Sequence, residues 1–330
     1  MAVYTEVSLD EARRFVLQLG LGELLALKPV ASGIENTNYF VTTADGEWVL
    51  TLFERLGFEQ LPFYLQLMRH LARHGLPVPE PRADAAGEIL HRVAGKPAAL
   101  VDRLRGEHLD APDLHHCEQL GATLARLHDA VADFPLAQPN LRGLAWWEDT
   151  ALLVRPHLGS EQAQLLDGEM AFQRQLAASP LYASLPRGAV HADLFRDNAM
   201  FEGLPGRERL SGVFDFYFAG VDTFGFDLAV VLNDWCIDLD SGRVDTARAD
   251  ALVAAYRLAE RVASPDHRLH DGAELRLLPA LRRSAALRFW LSRLADWHLP
   301  RDAALLTPKD PQHFERVLRD CIANPWHPQP

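Results

Sequence analysis

Asp193, Asn198 and Asp215 are three oxygen-bearing side chains at a spacing that suits phosphoryl transfer; they fall in His191-Ala192-Asp193-Leu194-Phe195-Arg196-Asp197-Asn198 and in Val213-Phe214-Asp215-Phe216. Asp193 can orient an acceptor hydroxyl and take its proton. Asn198 and Asp215 are the hard oxygen ligands that magnesium accepts, leaving its other positions to water and nucleotide phosphates. The transferring group already carries much of the charge, so the protein's task is to position the reactants and neutralise that charge. A lone loop Asp more often caps a turn; the register of His191, Asp193, Asn198 and Asp215 is what points to a kinase acting on a hydroxyl. His191 is expected to brace the loop by hydrogen bonding to backbone. Asp227, in Phe226-Asp227-Leu228-Ala229 at a helix start, suits either an N-cap or an anchor for that loop.

The elements that must position these groups can be read from pattern. A strand is expected around Leu25 to Ala31, then the loop Ser32-Gly33-Ile34-Glu35-Asn36-Thr37-Asn38, whose backbone N–H groups could cover phosphates with Gly33 allowing close approach. Ser32, Gly33, Asn36, Thr37 and Asn38 are the candidate nucleotide-binding residues, although this is not a G-x-G-x-x-G pattern. Strands from Thr37 to Thr43 and Glu47 to Phe53 flank Ala44-Asp45-Gly46, a hairpin signal. Leu61, Tyr64, Leu65, Met68, Leu71 and Ala72 recur at helical spacing before Gly75 and the prolines 77, 79 and 81. Gly87 to Val93 and Ala98 to Leu104 complete a small sheet. Polar Arg105-Gly106-Glu107-His108 marks a boundary, giving an N-terminal nucleotide-binding lobe over 1–104 and a helical lobe with catalytic loop and acceptor site over 105–330.

Helices are expected from about Asp110 to Val131 and near 160–178, 226–238, 245–262, 279–297 and 311–323. Short strands at Ala199 to Glu202 and Leu210 to Phe216, joined by Gly203-Leu204-Pro205-Gly206, would bring Asn198 and Asp215 together. The fold class is α+β: a small antiparallel sheet with one main helix, then a larger, mostly helical region.

Bulk properties exclude other classes. The chain has 330 residues, 48% of them hydrophobic, and a net charge of −12, which would repel phosphate backbones and anionic lipid. Nucleic-acid and membrane partners are not expected. No apolar stretch has the length of a membrane span, and Met1-Ala2-Val3-Tyr4-Thr5-Glu6 lacks signal-peptide regions, so a cytoplasmic protein is expected. Cys117, Cys236 and Cys321 are far apart and odd in number, which predicts buried thiols rather than disulfides or a zinc site.

The pattern H-x-D-x-x-x-x-N followed by a strand ending in Asp resembles the aminoglycoside phosphotransferase and choline kinase superfamily, small-molecule kinases with a bilobal protein-kinase-like fold. A closer likeness runs through Ser32 to Phe40, Val49 to Glu54, Leu61 to Pro81, His191 to Asn198 and Asp215 to Trp235; these segments resemble the bacterial homoserine kinases built on that fold. The resemblance implies ATP and Mg2+ as cofactors and phosphorylation of the L-homoserine hydroxyl to O-phospho-L-homoserine in threonine biosynthesis. It also implies Asp193 as catalytic residue, Asn198 and Asp215 as magnesium ligands, and Asp227 as the structural anchor of the loop. Choline, ethanolamine, a thiosugar or an aminoglycoside is the alternative acceptor, and a nucleotide-binding pseudokinase the alternative class. Oligomeric state is left open.

One position departs from the kinase pattern. The third strand normally presents a Lys to the α- and β-phosphates, and by register with Val49-Leu50 that position is Thr51. Either another cation serves, with Lys28 and Lys96 the candidates and Arg55 behind them, or the metal and the loop suffice; Lys309 lies far along the helical region. For the acceptor, Arg196 is the first candidate for an anion contact, to substrate carboxylate or γ-phosphate, and Tyr217, Asp222, Asp234 and Trp235 are close enough to Asp215 to line the pocket. Trp146 and Trp147 read as packing residues.

Overall fold

The computed structural model describes residues 5–30, 36–263, 272–299 and 308–329. The described residues divide into two compact units, one comprising those up to Gly106 with Ser211–Phe214, the other Glu107–Leu210 and the described residues from Asp215 onward.

The first unit contains α1 (Leu9–Gln18), β1 (Leu24–Pro29), β2 (Asn36–Thr43), β3 (Gly46–Phe53), α2 (Leu61–Arg73), β4 (His91–Val93) and β5 (Lys96–Asp102). The strands form one antiparallel sheet in the order β1-β2-β3-β5-β4. Strict alternation in β2 buries Thr37, Tyr39, Val41 and Thr43, the period of a strand with one covered face. Tyr39 and Val41 join Leu50, Leu52 and Leu100 in a core closed by Phe15 and Val16 of α1. Helix α1 lies outside the elements expected from pattern; its signal is the pair Ser8 and Glu11, with the Ser8 hydroxyl accepting from the Glu11 N–H at 3.2 Å. Strand β4 is shorter than the expected Gly87 to Val93, and β5 begins two residues before Ala98.

The remaining elements are α3 (Leu114–Ala130), α4 (Leu144–Val154), α5 (Ser160–Ala177), α6 (Pro180–Ala183), β6 (Arg187–Val190), β7 (Ala199–Glu202), β8 (Arg209–Val213), β9 (Gly220–Thr223), α7 (Phe224–Trp235), α8 (Thr246–Ala263), α9 (Ala273–His298) and α10 (Gln312–Ala323). Every residue of α7 is buried, so this helix is the centre of the second unit. Helices α3 and α8 approach so closely that a Cβ on Gly121 would lie 2.2 Å from the Leu252 carbonyl oxygen, which is why a glycine stands there. β6 pairs with β9 and β7 with β8. Helix α4 and the β6–β9 pair lie outside the elements expected from pattern, and α9 begins before its Pro279 rather than at it. Strand β8 ends at Val213, so Asp215 follows the strand instead of lying in it. The three cysteines are buried and free.

Candidate active site

The catalytic run leaves β6 at Val190 and must turn at once. Ala192 takes φ +62°, a left-handed conformation that costs a non-glycine residue about 1 kcal/mol or more. Asp227, in the first turn of α7, holds that turn: its Oδ2 accepts from the His191 N–H at 3.0 Å and its Oδ1 from the Ala192 N–H at 2.7 Å. Behind it, His128 Nε2 is 3.0 Å from Asp227 Oδ2, and His128 Nδ1 is 2.6 Å from the Tyr256 hydroxyl. Burial alone would raise the Asp227 pKa; the hydrogen bond and charge of His128, the charge of His191 and the Ala192 N–H outweigh it and hold the carboxyl below its ordinary value. Asp227 is thus an ionised, fully partnered post for the loop.

The rest of the loop is tied down along its length. The Asp193 N–H donates to His191 Nδ1 at 3.3 Å, and the His191 ring rests 4.5 Å from that of Phe216. Trp235 Nε1 donates to the Leu194 carbonyl at 3.1 Å, and the Arg196 N–H to Asp234 Oδ2 at 2.8 Å. Asp227, Asp234 and Trp235 are spaced i, i+7, i+8, which puts all three on one face of α7.

Asp193 itself keeps 16% of its side chain exposed, with Oδ1 3.9 Å from Arg288 Nη1 of α9. Its pKa is pushed up to about 7, chiefly by burial; Arg288 opposes the rise, while the carboxylates of Asp215 and Asp197 add to it. A carboxyl near neutrality can accept a hydroxyl proton as transfer proceeds. Asn198 donates from Nδ2 to the Asp193 carbonyl at 2.8 Å, which fixes the amide and directs Oδ1 the other way. Asp215 follows β8 in a left-handed conformation, φ +65°. Asn198 and Asp215 therefore stand at the open end of the β7–β8 pair, two hard oxygen donors of the class magnesium takes, and they fit such an ion.

The residues considered for the acceptor are placed differently from one another. The Arg196 guanidinium is committed: Nε lies 3.1 Å from Asp234 Oδ2, Nη1 donates to the Asp110 carbonyl at 2.8 Å, and Nη2 to the Asp234 carbonyl. Asp234 pairs with it in the interior, its pKa raised by burial against the pull of Arg196. Trp235 is wholly buried. Arg196, Asp234 and Trp235 are thus parts of the loop's support. Asp222, on β9, accepts from Asn140 Nδ2 at 2.8 Å and lines a small cavity with Trp147, Tyr182 and Phe226. Tyr217, two residues beyond Asp215, is half-buried.

In the first unit, Ser32 and Gly33 lie outside the described residues. Asn36, Thr37 and Asn38 open β2 rather than a loop. Asn38 Oδ1 accepts from the Thr51 hydroxyl at 2.8 Å, so the position of the missing Lys is filled by a neutral hydrogen-bonded pair. Lys96 Nζ lies 2.9 Å from Glu54 Oε2, and Thr37 donates to Glu54 Oε1 at 2.7 Å. Burial would raise the Glu54 pKa, but hydrogen bonds from Thr5, Thr37 and Lys96 pull it below its usual value. Lys96 shares the face of Ala98, which opposes Leu52, so it stands on the side of the sheet opposite to Thr51. By register Lys28 opposes Phe40, and Asn38 opposes Thr51, which places Lys28 on the Thr51 side.

His128, Tyr256, Arg288 and Lys309 carry no signal for the site in local sequence. Lys309 lies 3.4 Å from Asp197 inside the catalytic run. All four are single charged or aromatic residues, distant in sequence from the loop they serve.

Residues 26–265 match the phosphotransferase enzyme family (APH). The chain is 60% identical over 326 residues to a homoserine kinase of Polaromonas naphthalenivorans (strain CJ2), covering 99% of each chain. It is 52% identical over 319 residues to a homoserine kinase of Janthinobacterium sp. (strain Marseille), covering 97% of this chain and 95% of the relative. Among solved structures, the fold is similar to that of the amicoumacin kinase hAmiN at TM-score 0.65 and 18% identity, covering 96% of both chains. An ethanolamine kinase of Plasmodium vivax is similar at TM-score 0.60 and 13% identity, covering 94% of this chain and 87% of that one.

Proposed function

We propose, from the premise that the chain belongs to the phosphotransferase enzyme family and within it to the homoserine kinases, that it transfers the γ-phosphoryl group of ATP to the hydroxyl of L-homoserine, a step of threonine biosynthesis. The observation that carries the acceptor is the 60% identity along 99% of both chains. Its partner is this small molecule, and its setting the cytoplasm; no described helix is long and apolar enough to cross a membrane.

Asp193 accepts a hydrogen bond from the acceptor hydroxyl and aims its oxygen at the γ-phosphorus. As the new O–P bond forms, the bond from the γ-phosphorus to the β–γ bridging oxygen breaks, the hydroxyl proton passes to the Asp193 carboxylate, and ADP leaves with the bridging oxygen. The pKa of about 7 suits that late transfer. Asn198 Oδ1 and the Asp215 carboxylate are the ligands for Mg2+, which supplies charge neutralisation at the phosphates when bound. Asp227 and His128 hold Ala192 in its left-handed turn, and with it the direction of Asp193. In the first unit, Asn36 and the segment before it remain the candidates for the nucleotide phosphates.

Coupled ADP release with ATP, magnesium and a panel of homoserine, choline, ethanolamine, a thiosugar and an aminoglycoside tests the assignment. Turnover is expected with L-homoserine alone; no stimulation by it would sink the reading.

A further inference from the structure

An amino-acid acceptor brings a carboxylate that needs a cation, and Arg196 is already spent on Asp234 and the Asp110 carbonyl. Another guanidinium stands closer to the reacting group. Arg288 Nη1 lies 3.9 Å from Asp193 Oδ1, its side chain only 4% exposed. Its Cζ is 3.8 Å from the Phe289 ring centroid and 5.1 Å from that of Phe218, three residues after Asp215. A second guanidinium, that of half-buried Arg142, reaches the same Phe218 ring at 5.8 Å and lies over Trp146 at 4.5 Å. Two cations thus share the Phe218 ring, and one of them, Arg288, stands beside the group that orients the acceptor hydroxyl.

We propose that Arg288, assisted by Arg142, binds the carboxylate of the amino-acid acceptor. The inference rests on the homoserine reading of this site and adds to it the residues that select an acceptor bearing a carboxylate. In homoserine three carbon atoms separate the hydroxyl oxygen from the carboxyl carbon, so a hydroxyl held at Asp193 leaves the carboxylate within reach of a guanidinium set just beyond it. The planar fork of arginine matches a carboxylate with two parallel hydrogen bonds, and flanking rings fix its plane. Burial keeps water from screening the pair.

The transferring phosphoryl group is the other anion that could use these cations, and the test separates the two. The full-length protein is assayed for ADP release with L-homoserine and with 3-amino-1-propanol, which keeps the hydroxyl and the ammonium but has no carboxylate. Wild type is expected to favour homoserine in kcat/KM by about a hundredfold or more, because a site built for a charged group rejects an analogue lacking it. In Arg288→Met the ratio falls at least thirtyfold through the homoserine term, with Arg288→Lys and Arg142→Met in between. Equal losses for both acceptors in Arg288→Met and Arg142→Met would assign the cations to the phosphoryl group and overturn the proposal, as would an unchanged ratio in both. If Arg288→Met does not fold, the ratio in Arg142→Met and Arg288→Lys decides. A wild type active on other alcohols but not on homoserine overturns the homoserine reading itself, and the inference with it.

Discussion

Asp227 and Ala192 are joined by a 2.7 Å hydrogen bond across 35 residues of chain, from a carboxylate at the head of a buried helix to a backbone N–H in a left-handed turn. The post is in turn held by His128. His128→Ala would leave a buried carboxylate oxygen and the Tyr256 hydroxyl without their imidazole partner, so stability should fall by about 2–4 kcal/mol, read by urea denaturation. The folded pKa of Asp227 is depressed, so its contribution is present above the unfolded value of ~3.9 and is lost as pH falls through the folded value. Acid titration should therefore destabilise wild type more steeply than Asp227→Asn as pH falls from ~3.9 through the folded value.

Asp193→Asn keeps the shape of the side chain and removes the proton acceptor. Turnover should drop by about 10²–10⁴-fold with ATP affinity retained, measured by coupled ADP release and by calorimetric titration. Unchanged turnover would remove Asp193 from the chemistry.

The same substitution should stabilise the nucleotide-free fold at alkaline pH. A carboxyl raised from 3.8 to about 7 binds its proton more tightly folded than unfolded, so stability falls as pH rises between those values. The full effect is at most about 4 kcal/mol; solvent access and the lost Arg288 contact reduce it to about 1–3 kcal/mol. Thermal melts should show Asp193→Asn above wild type at pH 8 and the difference closing toward pH 4.

Asn198→Ala and Asp215→Ala each delete a hard oxygen donor. The magnesium concentration for half-maximal turnover should rise about tenfold or more in each, the larger change falling on the charged Asp215. A magnesium titration at fixed ATP checks this.

Opposite faces of the sheet separate the two lysines proposed to replace the missing strand cation. Lys28→Met should raise the KM for ATP several-fold, whereas Lys96→Met, which breaks only the pair with Glu54, should leave it within about twofold. Initial-rate kinetics in ATP distinguish them.

Much of this architecture is legible in local pattern. Residues 36–53 announce a hairpin by alternation and a short polar turn, and the 191–198 run carries its chemistry in its spacing. Asp227 can be read as an anchor because it begins a helix. What lies beyond local pattern is long-range pairing. Asp234 and Trp235 read equally well as pocket or scaffold until α7 is seen to turn both toward the loop backbone. Arg196 looks like an anion contact because an Arg in a catalytic loop is short of partners on paper; its partners are Asp234 and a carbonyl 86 residues earlier. Lys309 is remote from the loop in sequence, and the fold brings it back to Asp197.

The chain of bonds from Tyr256 through His128 and Asp227 to Ala192 also bears on when activity can first exist. Its links span 128, 99 and 35 residues, so the catalytic turn is completed only by contacts that close late and over long loops. A nascent or truncated polypeptide that ends before Tyr256 holds every residue of the 191–198 run, the metal pair and Asp227, yet lacks the hydroxyl that fixes the His128 ring behind that carboxylate. Recovered turnover during refolding should accordingly report docking of α8, not formation of the loop itself.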